Sequence, residues 1–131
     1  MKVLIVEDNR QTAMQYQLAL EERSHDVVVT HNGEEGCNAY SDAMKAVRSE
    51  QKNDSPFDIV ILDYRLPIKN GIQVAKKINT KNSKQKIVFA TGHLKEILSN
   101  EGKEMEIPLK VIEKPFELDE FVDKIERFVS C

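Results

Sequence analysis

Cysteine is nearly missing: Cys37 and Cys131 are the only two in 131 residues, and they show neither metal-ligand spacing nor a dense framework. That excludes a disulfide scaffold, suits a reducing compartment and leaves both as plain thiols. No apolar run approaches membrane-spanning length. The opening MKVLIVEDN has one positive charge and a short apolar run that ends in acids, the wrong build for a signal peptide. The expected location is the cytoplasm, without membrane insertion. An excess of positive charge is lacking too: 19 Lys and Arg stand against 22 Asp and Glu, a net charge of −3. No overall field therefore draws the molecule to nucleic acid. The densest basic stretch, Lys76, Lys77, Lys81, Lys84 and Lys86, has no interleaved aromatic for base stacking and reads as a solvated helix end and loop.

What is present is an ordinary globular mix, 40% hydrophobic and 31% charged, with no internal repeat. The length suits one domain over residues 1–131, with no output domain after it. Short β-branched runs alternate with segments of helical period. The strand candidates are Lys2 to Glu7, Asp26 to Thr30, Asp58 to Asp63, Lys86 to Thr91 and Leu109 to Ile112. Three of them carry continuous apolar cores, the mark of strands buried on both faces. Asn9 to Ser24 reads as a first helix with two candidate inner rows, Met14 with Leu18, and Ala13 with Tyr16 and Leu20. Glu34 to about Glu50 looks helical within a long second crossover, and KNDSP looks like a loop. Asn70, with Gln73 three residues on, is a good N-cap for a helix that buries Ile72, Val74, Ala75 and Ile78. Leu118, Phe121, Val122, Ile125, Phe128 and Val129 mark the last helix by their three- and four-residue steps. The expected fold class is α/β, a (βα)5 doubly wound five-stranded parallel sheet, flavodoxin-like, with strand order 2-1-3-4-5.

Polar residues fall where such strands end. Glu7 and Asp8 close the first strand, Asp63 the third and Thr91 the fourth, while Lys114 follows the fifth. In an open parallel sheet these ends meet at one crevice. Each residue alone has an ordinary explanation as a cap, a core hydroxyl or a snorkelling lysine. Three carboxylates at one end of adjacent buried strands do not, because repulsion and desolvation both penalise them, so the cluster asks for a cation. Mg²⁺ accepts a few carboxylate oxygens and keeps sites for phosphate oxygens, whereas Ca²⁺ wants more protein ligands. A carboxylate can also be the nucleophile of phosphoryl transfer, and Asp63 is the candidate. Lys114 would then offer an ammonium, and Thr91 a hydroxyl, to phosphoryl oxygens.

Through VLIVEDN, IVILDYRLPIKNG, IVFATG and VIEKPFE the sequence resembles the receiver domains of two-component response regulators over nearly its whole length. The most specific part is Asp63 with Pro67 and Gly71, combined with Lys114-Pro115-Phe116. The resemblance implies that Asp8, Asp63 and the Arg65 main-chain carbonyl bind Mg²⁺, with Glu7 helping through water. It implies a phosphoacceptor at Asp63 contacted by Lys114 and Thr91, and a cis peptide before Pro115. The implied donor is the phosphohistidine of a histidine kinase or phosphotransfer protein. The implied output is a protein target docked on the face of the fourth helix, fifth strand and fifth helix, in a monomer or a phosphorylation-linked dimer. Such a domain is a signalling phosphoacceptor that catalyses only its own phosphorylation and dephosphorylation.

Val111 departs from the family pattern, where an aromatic switch residue is common, and the second crossover is longer than usual. A receiver-like interaction module without phosphotransfer is a competing reading, set against the retention of all five site residues. An aspartyl-phosphate phosphohydrolase would need a second acid two residues after its nucleophile, where this chain has Arg65. A flavin-binding domain would need a hydroxyl- and glycine-rich loop after the first strand in place of acids. His25 and His31, flanking the second strand away from the acids, are given no role. Arg65 and His93, each two residues beyond a site residue, are expected to slow the attack of water on a phosphorylated Asp63. Replacing both with alanine should speed dephosphorylation, and an unchanged rate measured with the isolated phosphoprotein would remove the idea.

Overall fold

The computed structural model describes residues 1–49, 55–98 and 110–130. Along the chain run β1 (Lys2–Val6), α1 (Arg10–Glu22), β2 (Asp26–Thr30), α2 (Gly33–Ser49), β3 (Ile59–Leu62), α3 (Gly71–Lys81), β4 (Ile87–Thr91), α4 (Leu94–Leu98), β5 (Val111–Glu113) and α5 (Leu118–Ser130). The five strands form one parallel sheet in the order β2-β1-β3-β4-β5, as expected. β2 spans the expected residues, and the other four strands differ from the expected spans by one or two residues at an end. Leu109, Glu50, Cys131 and residues 52–54 of the expected KNDSP loop lie outside the described residues.

Alternation along the central strands builds two cores. Leu4, Val6, Val60, Leu62 and Phe89 point to one face, against Cys37 and Tyr40 of α2 and Ile72, Val74, Ala75 and Ile78 of α3. Val3, Ile5, Ile59, Ile61, Val88 and Ala90 point to the other, against Tyr16 and Leu20 of α1 and Phe121, Val122 and Ile125 of α5. A strand with both faces covered must be apolar at every position, which is why these runs read as continuous. The two candidate rows of α1 resolve clearly: Ala13, Tyr16 and Leu20 are buried, while Met14 and Leu18 are exposed. Helical period alone leaves that choice open, and the direction from which the sheet approaches makes it.

Local chemistry sets the helix starts. Asn9 caps α1 by accepting from the Thr12 N–H. Asn70 and Gln73 form the reciprocal capping box at α3 that the sequence pattern predicts. Lys86, expected in a solvated stretch, instead donates from Nζ to the carbonyls of Phe128 and Val129 at 2.9 and 2.8 Å. It thereby satisfies carbonyls at the end of α5 that have no partner within the helix. At the far end of the long crossover the buried Tyr40 hydroxyl donates to Gln85 Oε1 at 2.9 Å, and Asn82 Nδ2 donates to Ser55 Oγ at 2.8 Å. These bonds tie α2 and the stretch before β3 to the α3–β4 turn.

The β3–α3 loop, which leads away from Asp63, is tight. Gly71 N–H donates to Tyr64 O at 2.7 Å, and a Cβ at Gly71 would collide with the Asp63 carbonyl oxygen. Ile68 in the same loop has φ 73°, a left-handed conformation that costs a branched side chain about 1–2 kcal/mol. Gly92, after β4, has open space where a Cβ would go. Gly71→Ala should therefore cost about 1–3 kcal/mol in urea unfolding, as overpacking does, while Gly92→Ala stays within about 0.5 kcal/mol. Equal midpoints for the two variants would contradict this account of the loop.

Candidate functional site

Parallel pairing in register brings the carboxyl ends of β1, β3 and β4 to one edge. Asp63 N–H donates to Val6 O at 3.1 Å, which sets the start of the third loop beside the end of β1. Lys114 N–H donates to Thr91 O at 2.9 Å, which holds the fifth loop against β4. The peptide between Lys114 and Pro115 is cis, as the resemblance implied. Glu7, Asp8, Asp63, Thr91 and Lys114 thus come together at the ends of four strands.

The acids are close. Glu7, Asp8 and Asp63 each present a carboxylate oxygen, and these oxygens all lie within 4.8 Å of one another. Glu7 is buried and Asp8 exposed, with Asp63 between. The Lys114 ammonium bridges two of them, 2.7 Å from Glu7 Oε1 and 3.3 Å from Asp63 Oδ2. Asp63 Oδ1 accepts from the Tyr64 N–H at 2.7 Å, and Glu7 Oε2 accepts from the Asn9 N–H at 3.2 Å. Thr91 is fully buried, and its Oγ1 accepts from the His93 N–H at 3.0 Å. Because that bond uses an oxygen lone pair, the hydroxyl proton stays available to donate.

Electrostatics follow from this geometry. Burial raises the Glu7 carboxyl above its usual range; the Lys114 hydrogen bond pulls it back and the Asp63 charge pushes it further up. Burial alone would depress the Lys114 ammonium, yet the Glu7 hydrogen bond and the two carboxylate charges hold it above the ordinary lysine range. Lys114 is therefore a fixed cation at neutral pH. Burial also pushes the Tyr16 hydroxyl, which feels the Lys114 charge, up to about 12, so it remains a neutral phenol. When all are ionised, three carboxylates against one ammonium leave two negative charges uncompensated, which is the charge of one divalent ion. Clustered carboxylate oxygens of this kind are the hard donor set that a small divalent ion such as Mg²⁺ takes.

Arg65 is exposed, two residues beyond Asp63, and His93 is half-buried with its ring 6.4 Å from that of Tyr64. Val111 is half-buried against the core that includes Phe89 and Ile97. His31 is not away from the acids: its Nδ1 lies 3.0 Å from the Glu7 main-chain oxygen. His25 does lie apart, bonded to Glu126 Oε2 at 2.9 Å and to the N-terminal amine at 3.2 Å. Tyr64 and His31 escape a sequence reading because one acts through a main-chain N–H, and the other reaches a neighbouring strand that the linear order hides.

The strand order 2-1-3-4-5 of this parallel sheet is that of the flavodoxin-like fold class, here with an acidic crevice at its carboxyl edge. The sequence model of the family described as response regulator receiver domain matches residues 3–126, and the chain belongs to that family. It is 28% identical over 128 residues to the response regulator receiver protein CpdR of Brucella abortus, covering 98% of this chain and 96% of CpdR. It is 27% identical over 124 residues to the transcriptional regulatory protein YkoG of Bacillus subtilis. That match covers 94% of this chain but 48% of YkoG, so the chain spans about half that relative's length. The non-phosphorylated receiver domain of HemR from Leptospira biflexa superposes with TM-score 0.75 at 28% identity, covering 99% of this chain and 94% of that one. TrrA of Thermotoga maritima, solved in complex with Mg²⁺-BeF, shares the fold with TM-score 0.71 at 24% identity and 97% coverage of each chain. Among the described residues no helix is long and apolar enough to cross a membrane.

Removing the Lys114 ammonium exposes the charge balance to measurement. Lys114→Met keeps the stem but takes away the group that holds Glu7 down, so the native Glu7 pKa rises further above its ordinary 4.5. A carboxyl raised in the native state contributes stability below its unfolded pKa and loses it as pH climbs through the native one. The variant should therefore be less stable by about 1–3 kcal/mol at pH 7.5, with a deficit that shrinks toward pH 5. A deficit independent of pH, read from urea midpoints, would show that Glu7 and Lys114 are not coupled.

Proposed function

We propose that Asp63 is the phosphoacceptor of this two-component receiver, loaded from a phosphohistidine on a histidine kinase or phosphotransfer protein. The observation that carries this reading is the state of the Asp63 carboxylate. Its Oδ1 is held by a main-chain N–H and its Oδ2 faces a fixed ammonium, beside two further acids. Such a group is aimed by a main-chain donor on one oxygen and an ammonium on the other, the positioning that a carboxylate nucleophile needs.

In the transfer a carboxylate oxygen bonds to phosphorus, the phosphorus–nitrogen bond breaks, and the imidazole leaves with the electron pair. Lys114 then trades part of its contact with Asp63 for a phosphoryl oxygen, and Thr91 turns its hydroxyl proton toward another. Neither residue exchanges a proton. Asp8, Asp63 and the Arg65 main-chain carbonyl would hold Mg²⁺, with Glu7 acting through water; the ion supplies charge neutralisation between the acids and the phosphoryl oxygens. Water attack on the resulting acyl phosphate restores the carboxylate, and Arg65 and His93 crowd that approach.

The signal leaves through β4. The Thr91 hydroxyl bonds to the His93 amide, and His93 O accepts from the Ile97 N–H at 3.2 Å in the first turn of α4. Drawing Thr91 toward the phosphoryl group loosens that anchor and alters the face of α4, β5 and α5, where a protein target or a second phosphorylated copy docks. With Val111 in place of an aromatic ring, this main-chain link carries the change.

Incubation with Mg²⁺ and acetyl phosphate tests the reading. Mass spectrometry should show one phosphoryl increment, absent from Asp63→Asn and reduced at least tenfold in rate by Lys114→Met. An increment that survives Asp63→Asn would place the acceptor elsewhere, and rapid continuous phosphate release would favour a hydrolase.

A further inference from the structure

The carbonyl of Glu7 occupies an unusual place at the end of β1. The β1–β2 ladder ends at the Val6–Thr30 pair, and the Glu7 N–H still donates to Thr30 O at 3.0 Å. Beyond that point β2 cannot continue to pair. Asn32 turns the chain into α2, its side chain accepting from the Glu35 N–H at 2.8 Å and its carbonyl from the Gly36 N–H at 3.0 Å. A buried strand end would thus leave the next carbonyl without a ladder donor. The imidazole of His31 takes the donor's place, with Nδ1 3.0 Å from Glu7 O.

A carbonyl oxygen only accepts, so Nδ1 carries the proton, and the neutral ring is held as the Nδ1–H tautomer. The backbone under the ring is fixed in turn, because the His31 N–H donates to Glu35 Oε1 at 3.0 Å in the first turn of α2. The clamped carbonyl belongs to the same peptide unit as the Asp8 N–H. Planarity means that fixing this oxygen fixes the direction in which the chain enters Asp8. Asp8 is exposed, so packing does little to orient its carboxylate. Glu7, by contrast, is held through both carboxylate oxygens, by Lys114 and by the Asn9 N–H.

We infer that His31 is a positioning residue of the acidic site: its Nδ1–H, clamped on the Glu7 carbonyl, aims the Glu7–Asp8 peptide and so the Asp8 carboxylate at a bound Mg²⁺. This rests on the metal-dependent reading above and extends it to the residue that follows β2, a strand whose end contributes no carboxylate to the site. Partners that orient metal ligands change affinity by about 10- to 100-fold when lost, and a clamp acting one peptide away should give the lower part of that effect, about 3- to 10-fold.

Two variants separate donor loss from a general defect. His31→Leu keeps bulk and removes the donor, while His31→Asn returns an N–H on Cγ, at the reach of Nδ1. Calorimetric titration with MgCl₂ should give about 3- to 10-fold weaker binding for the leucine variant and recovery to within about twofold of wild type for the asparagine variant. Long-range ¹H–¹⁵N correlation on the unmodified protein should show the His31 ring in its Nδ1–H form, a signature that mere packing would not impose. Should the leucine variant fail to fold, the asparagine variant and the tautomer decide the matter. Wild type that takes up no Mg²⁺ would overturn the metal-dependent reading and this inference together. Uptake that is equal in wild type and His31→Leu, or a ring found as the Nε2–H form, would overturn the inference alone.

Discussion

One ammonium keeps the crevice of this protein from repelling itself apart. Lys114 sits 2.7 Å from Glu7 and 3.3 Å from Asp63, where burial raises the cost of ionising Glu7. The lysine cannot balance three acids, and under the proposed function that shortfall is what a small divalent ion would offset.

The scaffold makes this tolerable. β1 and β3 are buried on both faces, so their carboxyl ends are rigid, and the register between them fixes where Asp63 stands relative to Glu7. Small local devices then finish the aim. Tyr64 N–H holds one Asp63 oxygen, Gly71 lets α3 close against the Asp63 carbonyl, and a stack of Tyr16, Phe116 and Phe121 packs behind the loop that carries Lys114. Phe116 and Phe121 lie 5.0 Å apart and nearly parallel, and Tyr16 lies 4.6 Å from Phe121. That aromatic floor joins α1, the fifth loop and α5, so Lys114 moves with the body of the protein and not as a free surface chain.

Much of this is written in the linear order. Continuous apolar runs in β1, β3 and β4 announce strands covered on both faces, Asn70 with Gln73 announces the capping box, and the acids stand one or two residues beyond the runs. Those signals are local, because strand burial, capping and turn chemistry act within a few residues. The choice between the two rows of α1 is not local, and neither is the role of Lys86, whose acceptors at Phe128 and Val129 lie more than forty positions away.

The order of residues was enough to establish the strand and helix pattern, the crevice acids and the family, since each depends on spacing along one segment. Folding alone revealed that His31 reaches Glu7, that Tyr64 serves Asp63 through its backbone, and that Met14 faces water while Tyr16 faces the lysine loop. Each of those facts is a distance between segments that only sheet register brings together, and a parallel register is a property of the whole sheet that no single stretch encodes.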